Sequence, residues 1–146
     1  MNIDYKALIE KAKISHLKPA PPYPASGTAS EQADYLVEQV IAPSFGRAVD
    51  ALKADGQIAV IDSNGSGHDR TVELTIRKPS GSPGANFDHK LVVSFQWNNG
   101  KLRVNIGIVI PFRRDDRQKW GVDPSDVSVA FRVAFTELFE GYFSTL

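Results

Sequence analysis

The sequence contains no cysteine among its 146 residues. This absence excludes disulfide bonds, thiolate metal sites and a catalytic thiol together. The chain also lacks long apolar runs. No segment approaches the roughly 20 apolar residues of a membrane-spanning helix, and residues 1–13 alternate charges with short apolar pairs instead of forming a secretory signal. We therefore expect a soluble, cytoplasmic protein without a membrane partner.

Neither sign of charge is in excess, because 17 basic side chains balance 17 acidic ones. The molecule as a whole therefore has no global field that would concentrate nucleic acid or anionic lipid. This balance disfavours nucleic acid as a partner, and any such contact would need a local basic patch.

The first third of the chain is predicted to be helical. A short helix over 4–14 and a proline-rich strap that ends at Pro24 make up residues 1–29, and a longer helix covers 30–55. Pro43 interrupts this second helix, because proline lacks a backbone donor and moves the preceding residue out of the α region. We expect a kink or a restart between Ala42 and Ser44.

Residues 57–110 alternate apolar and polar side chains with the period of a strand. Strands are predicted over 57–62 and 71–77, and the tight turn at Asn98, Asn99 and Gly100 joins two more, over 91–97 and 102–110. The last helix, over 123–144, begins with an Asp123 cap before Pro124. The pattern predicts one α+β domain over 1–146, a two-layer fold in which a four-stranded antiparallel β-meander has one face covered by N- and C-terminal helices, in the order α-α-β-β-β-β-α.

Two His and Asp pairs were considered as metal or proton-relay sites, His68 with Asp69 and Asp88 with His89. The second and third strands run antiparallel, so the pairs should lie about 23 Å apart at opposite ends of the sheet. Asp88 and Lys90 also have the Asp-x-Lys spacing of Mg²⁺-dependent nucleases. A metal-dependent nuclease or hydrolase centred on these two residues is therefore an alternative function.

Other catalytic patterns are missing from the sequence. The glycine-rich loop over 63–67 lacks the Gly-Lys-Ser/Thr ending of a phosphate loop, and no serine lies in a Gly-x-Ser-x-Gly turn. The sequence predicts no catalytic residue, no metal ligand and no cofactor, and an enzyme is not favoured.

The leading hypothesis is a small, non-enzymatic protein-binding module of the inhibitor, immunity or assembly-accessory type. It would use the open sheet face, an edge strand over 101–110 and a basic loop over 113–120. The predicted partner-binding residues are Arg103, Asn105, Arg113, Arg114, Arg117 and Trp120.

Two further possibilities concern apolar surface. The last helix carries apolar residues over more than half its circumference, which leaves Phe139 and Phe143 for the first helix, a second copy or a partner. A homo-oligomer could form through this helix or through strand 101–110. A second alternative function is a carrier that holds a small apolar ligand between sheet and helices.

Overall fold

The structure is a computed structural model that describes residues 22–77, 88–110 and 117–144. The predicted helix over 4–14 and most of the proline-rich strap lie outside these ranges. The described elements are, in chain order, α1 (Ala29–Leu36), a π-helical segment (Val37–Ile41), α2 (Ala42–Ala54), β1 (Ile58–Asn64), β2 (Thr71–Arg77), β3 (His89–Asn98), β4 (Lys101–Val109), β5 (Arg117–Val122), a 3₁₀ turn (Pro124–Asp126) and α3 (Val127–Phe143).

Helix α1 begins with a complete capping box. The Glu31 backbone N–H donates to Thr28 Oγ1 over 3.1 Å, and the Thr28 N–H donates back to Glu31 Oε1 over 3.4 Å. Thr28 has the extended φ and ψ angles of a cap, −68° and 165°. The helix therefore starts one residue before the predicted Ser30, because Thr28 supplies the capping oxygen.

The helix continues past the region of Pro43, since Leu36, Ile41 and Ala42 all have right-handed helical angles. The expected kink or restart is instead a π-helical segment, which ends with the Ala42 backbone N–H donating to the carbonyl oxygen of Val37. Pro43, the second residue of α2, follows this widened turn and has no backbone donor of its own. A widened turn thus replaces a sharp kink.

The predicted antiparallel meander is confirmed, with one strand more than expected. All neighbours in the order β1-β2-β3-β4-β5 are antiparallel. In the turn between β3 and β4, Asn99 and Gly100 have φ angles of 52° and 74°, as a two-residue hairpin of the type I′ class requires.

The prediction that strand 101–110 forms an edge of the sheet is wrong, because β5 pairs with β4. Val122 lies opposite Val104, and Trp120 lies opposite Ile106. These apolar side chains alternate with polar residues and extend the buried face of the sheet by one strand. The charged residues that precede them had indicated a loop throughout 113–120.

One face of the sheet carries the core, and helices α1 to α3 cover it. Phe45 of α2 is fully buried, with ring centroids 5.6 Å from Phe131 and 5.9 Å from Phe135 of α3. Phe139, which had been considered as surplus apolar surface, stacks on Phe135 at 5.6 Å, and Phe143 packs edge-on to Tyr142 at 5.3 Å. Both half-buried side chains thus pack against the core of the same chain.

At one end of this core, Tyr142, His89 and Gln57 form a cluster of polar side chains. The buried Tyr142 hydroxyl donates to Gln57 Oε1 over 2.5 Å, and the Tyr142 ring meets the buried His89 ring edge-on at 5.3 Å. Burial raises the pKa of Tyr142 above its usual value, and the nearby Asp55 carboxylate acts in the same direction. The neutral phenol is therefore the form that the folded chain prefers.

This preference predicts an alkaline loss of stability. Because the pKa of Tyr142 is higher in the folded than in the unfolded chain, its contribution is complete below about pH 10 and disappears as pH rises through the folded value. Tyr142→Phe should flatten the fall of unfolding free energy above pH 10, at a cost of about 0.5 to 1.5 kcal/mol at pH 7 for the lost hydrogen bond. Urea unfolding at pH 7, 9, 10 and 11 measures both effects. The same alkaline slope in the wild type and the variant would contradict the assignment.

Candidate functional site

The sheet face opposite the helices carries a row of small, uncharged residues that crosses all five strands, four of them polar and the fifth a glycine. In the strand register, Asn64 lies opposite Thr71, Thr71 opposite Ser94, Ser94 opposite Asn105, and Asn105 opposite Gly121. Four spacings of ~4.8 Å make this row about 19 Å long. No charged side chain belongs to it, so the row forms a neutral hydrogen-bonding strip.

One end of this strip adjoins an arginine with a defined position. Arg103 Nη2 donates to the carbonyl oxygen of Gly121 over 3.0 Å, and Nη1 lies 3.3 Å from Asp123 Oδ1. The arginine side chain is still 46% exposed. We call the group formed by Gln96, Arg103, Asn105, Gly121 and Asp123 the polar corner.

Gly121 makes this arrangement sterically possible. A Cβ atom at residue 121 would lie 3.2 Å from Asn105 Oδ1 and 3.3 Å from Arg103 Nη2. Both side chains therefore lie so close to the β5 backbone that the side chain of a larger residue at position 121 would overlap them. Together, Gly121 and Arg103 place fixed donors and acceptors on an accessible surface.

Asp123 has a different role from the predicted one. Its side chain makes no capping hydrogen bond, and the last helix begins with the 3₁₀ turn before α3. The carboxylate instead pairs with Arg103, which approaches from β4. The Asp-Pro sequence had indicated a cap, because a local pattern does not reveal a competing partner 20 residues away.

The expectation of a uniformly open face needs correction at Thr75. This side chain is only 2% exposed, between the half-buried Val60 and Lys90 on the neighbouring strands. Arg77, Gln96 and Arg103 are exposed on the same face. Gln96 and Arg103 of the polar corner are both exposed, and the candidate surface is centred there.

Two further basic side chains of this face lie beside carboxylates. Lys90 Nζ lies 3.8 Å from Glu73 Oε2, and Arg77 Nε lies 3.9 Å from Asp88 Oδ2. Arg103, with Asp123, is a third basic side chain of this face that lies beside a carboxylate. At these three described residues the positive charge is therefore compensated locally, which does not favour contact with a phosphate backbone there.

The same contacts bear on the nuclease alternative. Asp88 faces Arg77, and Lys90 faces Glu73, so these carboxylates approach cations rather than one another. In the described ranges, no three His, Asp or Glu side chains come close enough to hold a metal ion. His89 lies opposite Ile76, whereas His68 and Asp69 precede Thr71 at the other end of β2, which confirms the predicted separation of the two pairs.

Of the other predicted site residues, Trp120 is the one whose side chain the structure describes, and it does not join Arg103 and Asn105. Trp120 lies on the helix-covered face, half-buried against the core. Arg117 is the first residue of β5, opposite Val109. Arg113 and Arg114 lie outside the described residues. The apolar residues Trp120 and Val122, two positions apart, were the feature of the sequence that could have indicated strand β5. A strand at this place would also have put Gly121 on the opposite face of the sheet.

A second cluster joins the β1–β2 loop to the start of α1. Ser30 Oγ lies 3.4 Å from His68 Nδ1, and Arg70 Nη2 lies 2.7 Å from Asp34 Oδ1. His68 Nε2 is 3.9 Å from a carboxylate oxygen of Asp69, whose side chain is 89% exposed. That distance is too long for a hydrogen bond that would orient the imidazole for catalysis. We interpret the cluster as a structural contact that holds the loop.

Across the described ranges, no helix combines the length and the apolar character needed to cross a membrane. Comparison with protein-family models, with curated proteins and with solved structures finds no match for this chain.

Proposed function

We propose that this chain is a non-enzymatic protein-binding module of the inhibitor, immunity or assembly-accessory type. It recognises its partner through the polar corner and the neighbouring polar strip. The observation that carries this proposal is the position of Arg103, held by Gly121 and Asp123 while nearly half of its side chain is exposed. An arginine oriented in this way needs little further ordering when a partner binds.

The shape and chemistry of the surface favour a protein partner. A strip about 19 Å long across a sheet matches the scale of a protein contact, and arginine is enriched among residues that dominate binding energy. Exposed guanidinium and amide groups at Arg103 and Gln96 suit partner carboxylates and carbonyl oxygens. The carboxylates beside Arg77, Lys90 and Arg103 favour a protein over a nucleic acid as the partner.

The alternative functions receive less support. Between sheet and helices, where a carrier would hold its ligand, Phe45, Leu52, Leu74, Ile106 and Leu138 are fully buried and belong to one apolar core cluster. For a nuclease, the carboxylates near Lys90 are engaged by basic side chains.

A charge reversal at the polar corner tests the proposal. The tagged wild type, Arg103→Glu and the control Arg132→Glu are used to capture proteins from the native host, and the captured proteins are quantified by mass spectrometry. Arg132 is exposed on α3 in the helical layer, so its reversal changes net charge equally at a distant surface. We expect Arg103→Glu to capture at least about tenfold less of the partner than the wild type. The reason is that the loss of one arginine contact at a binding hot spot costs more than about 1.4 kcal/mol of binding free energy. The control should retain it.

Gly121→Ala provides an independent variant without a change of charge. The added methyl group must displace Arg103 or Asn105, and it should therefore weaken the same interaction. Circular dichroism and thermal unfolding verify that each variant is folded. If a specific partner binds wild type, Arg103→Glu and Gly121→Ala equally well, recognition through the polar corner is refuted.

A further inference from the structure

Strand β1 is an edge of the sheet without the usual protection against pairing. Among the described strands its one sheet neighbour is β2, and seven successive residue pairs join the two strands without a bulge. Edge strands are normally protected by lysine, proline, bulges or inward-pointing charges. Within Ile58–Asn64 the only charged residue is Asp62. The opposite edge, β5, contains Arg117 and Lys119 among six residues.

The outer side of β1 also exposes apolar surface on both faces. Ile58 is 45% exposed and shares the face of Arg77, its register partner. Ile61 is 41% exposed and shares the helix-covered face with its partner Leu74. The exposure of Ile61 shows that α2 does not extend over the outer side of the strand. An added strand would therefore have access to backbone groups and would cover both isoleucines.

We infer that a second copy of this chain pairs with β1, antiparallel and about a two-fold axis at Ile61. Such an axis is perpendicular to the sheet, so each side chain stays on its own face of the sheet. Two residues that pair across the axis must therefore point to the same face. Centring on Ile61 is the register that pairs all seven residues. Two five-stranded sheets then form one continuous sheet, with both helical layers on the same side.

The residue pairs in this register are compatible with self-association. Ile61 faces its own copy, Val60 faces Asp62, and Ala59 faces Ser63. The single carboxylate of each strand therefore has no like charge directly opposite, and a contact between two isoleucines lies at the centre. A shift of the axis to Asp62 would instead place the two carboxylates against each other. Self-complementarity thus favours a second copy over the strand of another protein.

The absence of cysteine permits a direct test by cross-linking. Ile61→Cys introduces one thiol per chain, and directly opposite Cβ atoms should lie about 4.5 to 5.5 Å apart, close to disulfide geometry. Ser63→Cys is the matched control, an exposed residue on the same face of the strand as Ile61, because residue 63 and its copy should be about 14 Å apart. Under mild oxidation we expect a disulfide-linked dimer from Ile61→Cys and little from Ser63→Cys. Equal cross-linking of the two variants would overturn the register.

Sedimentation of the native chain provides the second test. Wild type should sediment at twice the 16.0 kDa mass of one chain. Ile61→Lys, which places like charges opposite each other, should raise the dimer dissociation constant at least about tenfold. Val129→Lys, at an apolar α3 residue that is 64% exposed, should leave it unchanged. If the wild type is monomeric at concentrations near 100 µM, the inference is overturned, and the β1 edge remains available to a strand of another protein. If the dimer is lost only with Val129→Lys, the chains associate through α3 instead.

Discussion

Replacement of Phe45 by alanine is expected to lower the free energy of unfolding by about 3 to 5 kcal/mol. Phe45 is completely buried and lies between two phenylalanines of α3, Phe131 and Phe135. Truncation removes these ring contacts and leaves a cavity where α2 meets α3 above the sheet. The loss of buried apolar surface and the cavity left by the ring both lower the free energy of unfolding.

Urea denaturation followed by circular dichroism measures this effect. Val129→Ala is the control, since Val129 is 64% exposed on the same α3 helix and its truncation should change stability by no more than about 0.5 kcal/mol. A loss below about 1 kcal/mol for Phe45→Ala would mean that the two helical segments do not share the packed core described here.

Gly65→Ala is expected to lower the free energy of unfolding by about 2 to 4 kcal/mol, the second-largest effect. Gly65 has a φ of 86°, which is unfavourable for residues with a Cβ atom. In addition, a Cβ atom there would overlap the backbone carbonyl oxygen of Asp69. A carbonyl in a closed loop cannot rotate away as a flexible side chain can, so the loop itself must open.

Gly56→Ala separates these two contributions. Gly56 has a similar φ of 81°, but a Cβ atom at this position would meet nothing within 4 Å. Gly56→Ala should therefore lower the free energy of unfolding only by the cost of a positive φ angle for a residue with a Cβ atom, about 1 to 2 kcal/mol. Urea denaturation of both variants gives the steric part by difference, and equal losses would show that the approach of Gly65 to Asp69 has no energetic consequence.

The loop that contains Gly65 links the stability of the sheet edge to the helices. His68 contacts Ser30, and Arg70 pairs with Asp34, so residues after β1 are anchored to α1. Gly67 belongs to the same contact, since a Cβ atom there would lie 2.5 Å from Ser30 Oγ. Opening the loop in Gly65→Ala should also increase hydrogen exchange in β1, which pairs with β2 alone among the described strands.

The proposed protein-binding surface and the proposed dimer edge use different parts of the sheet. Arg103 and Asn105 lie on β4 beside β5, whereas Ile61 lies on β1 at the opposite edge. A dimer through β1 would leave both polar corners exposed and would present two of them to partners. Arg103→Glu and Ile61→Lys should therefore have separable effects, the first on partner capture and the second on mass.

Local patterns in the chain were sufficient for much of the architecture. Alternation in β2 to β4 follows from the period of a strand, and the Asn99 and Gly100 turn follows from the positive φ angles that these residues tolerate. The irregular helical turn before Ala42 follows from the missing donor of Pro43. Each of these features depends on residues close together in the sequence, which is why the helices and the antiparallel meander were predictable.

The candidate surface depended on contacts between distant residues. Strand β5 is short and begins with charged residues, and only pairing with β4 makes it a strand. That pairing removes β4 from the sheet edge, turns Trp120 toward the core and brings Gly121 and Asp123 to Arg103. Strand exposure and ion-pair partners are properties of the assembled sheet, because they depend on which backbone lies next to which. The amino-acid pattern therefore specified the layers of this protein, whereas its accessible edge and its polar corner arose only from tertiary pairing.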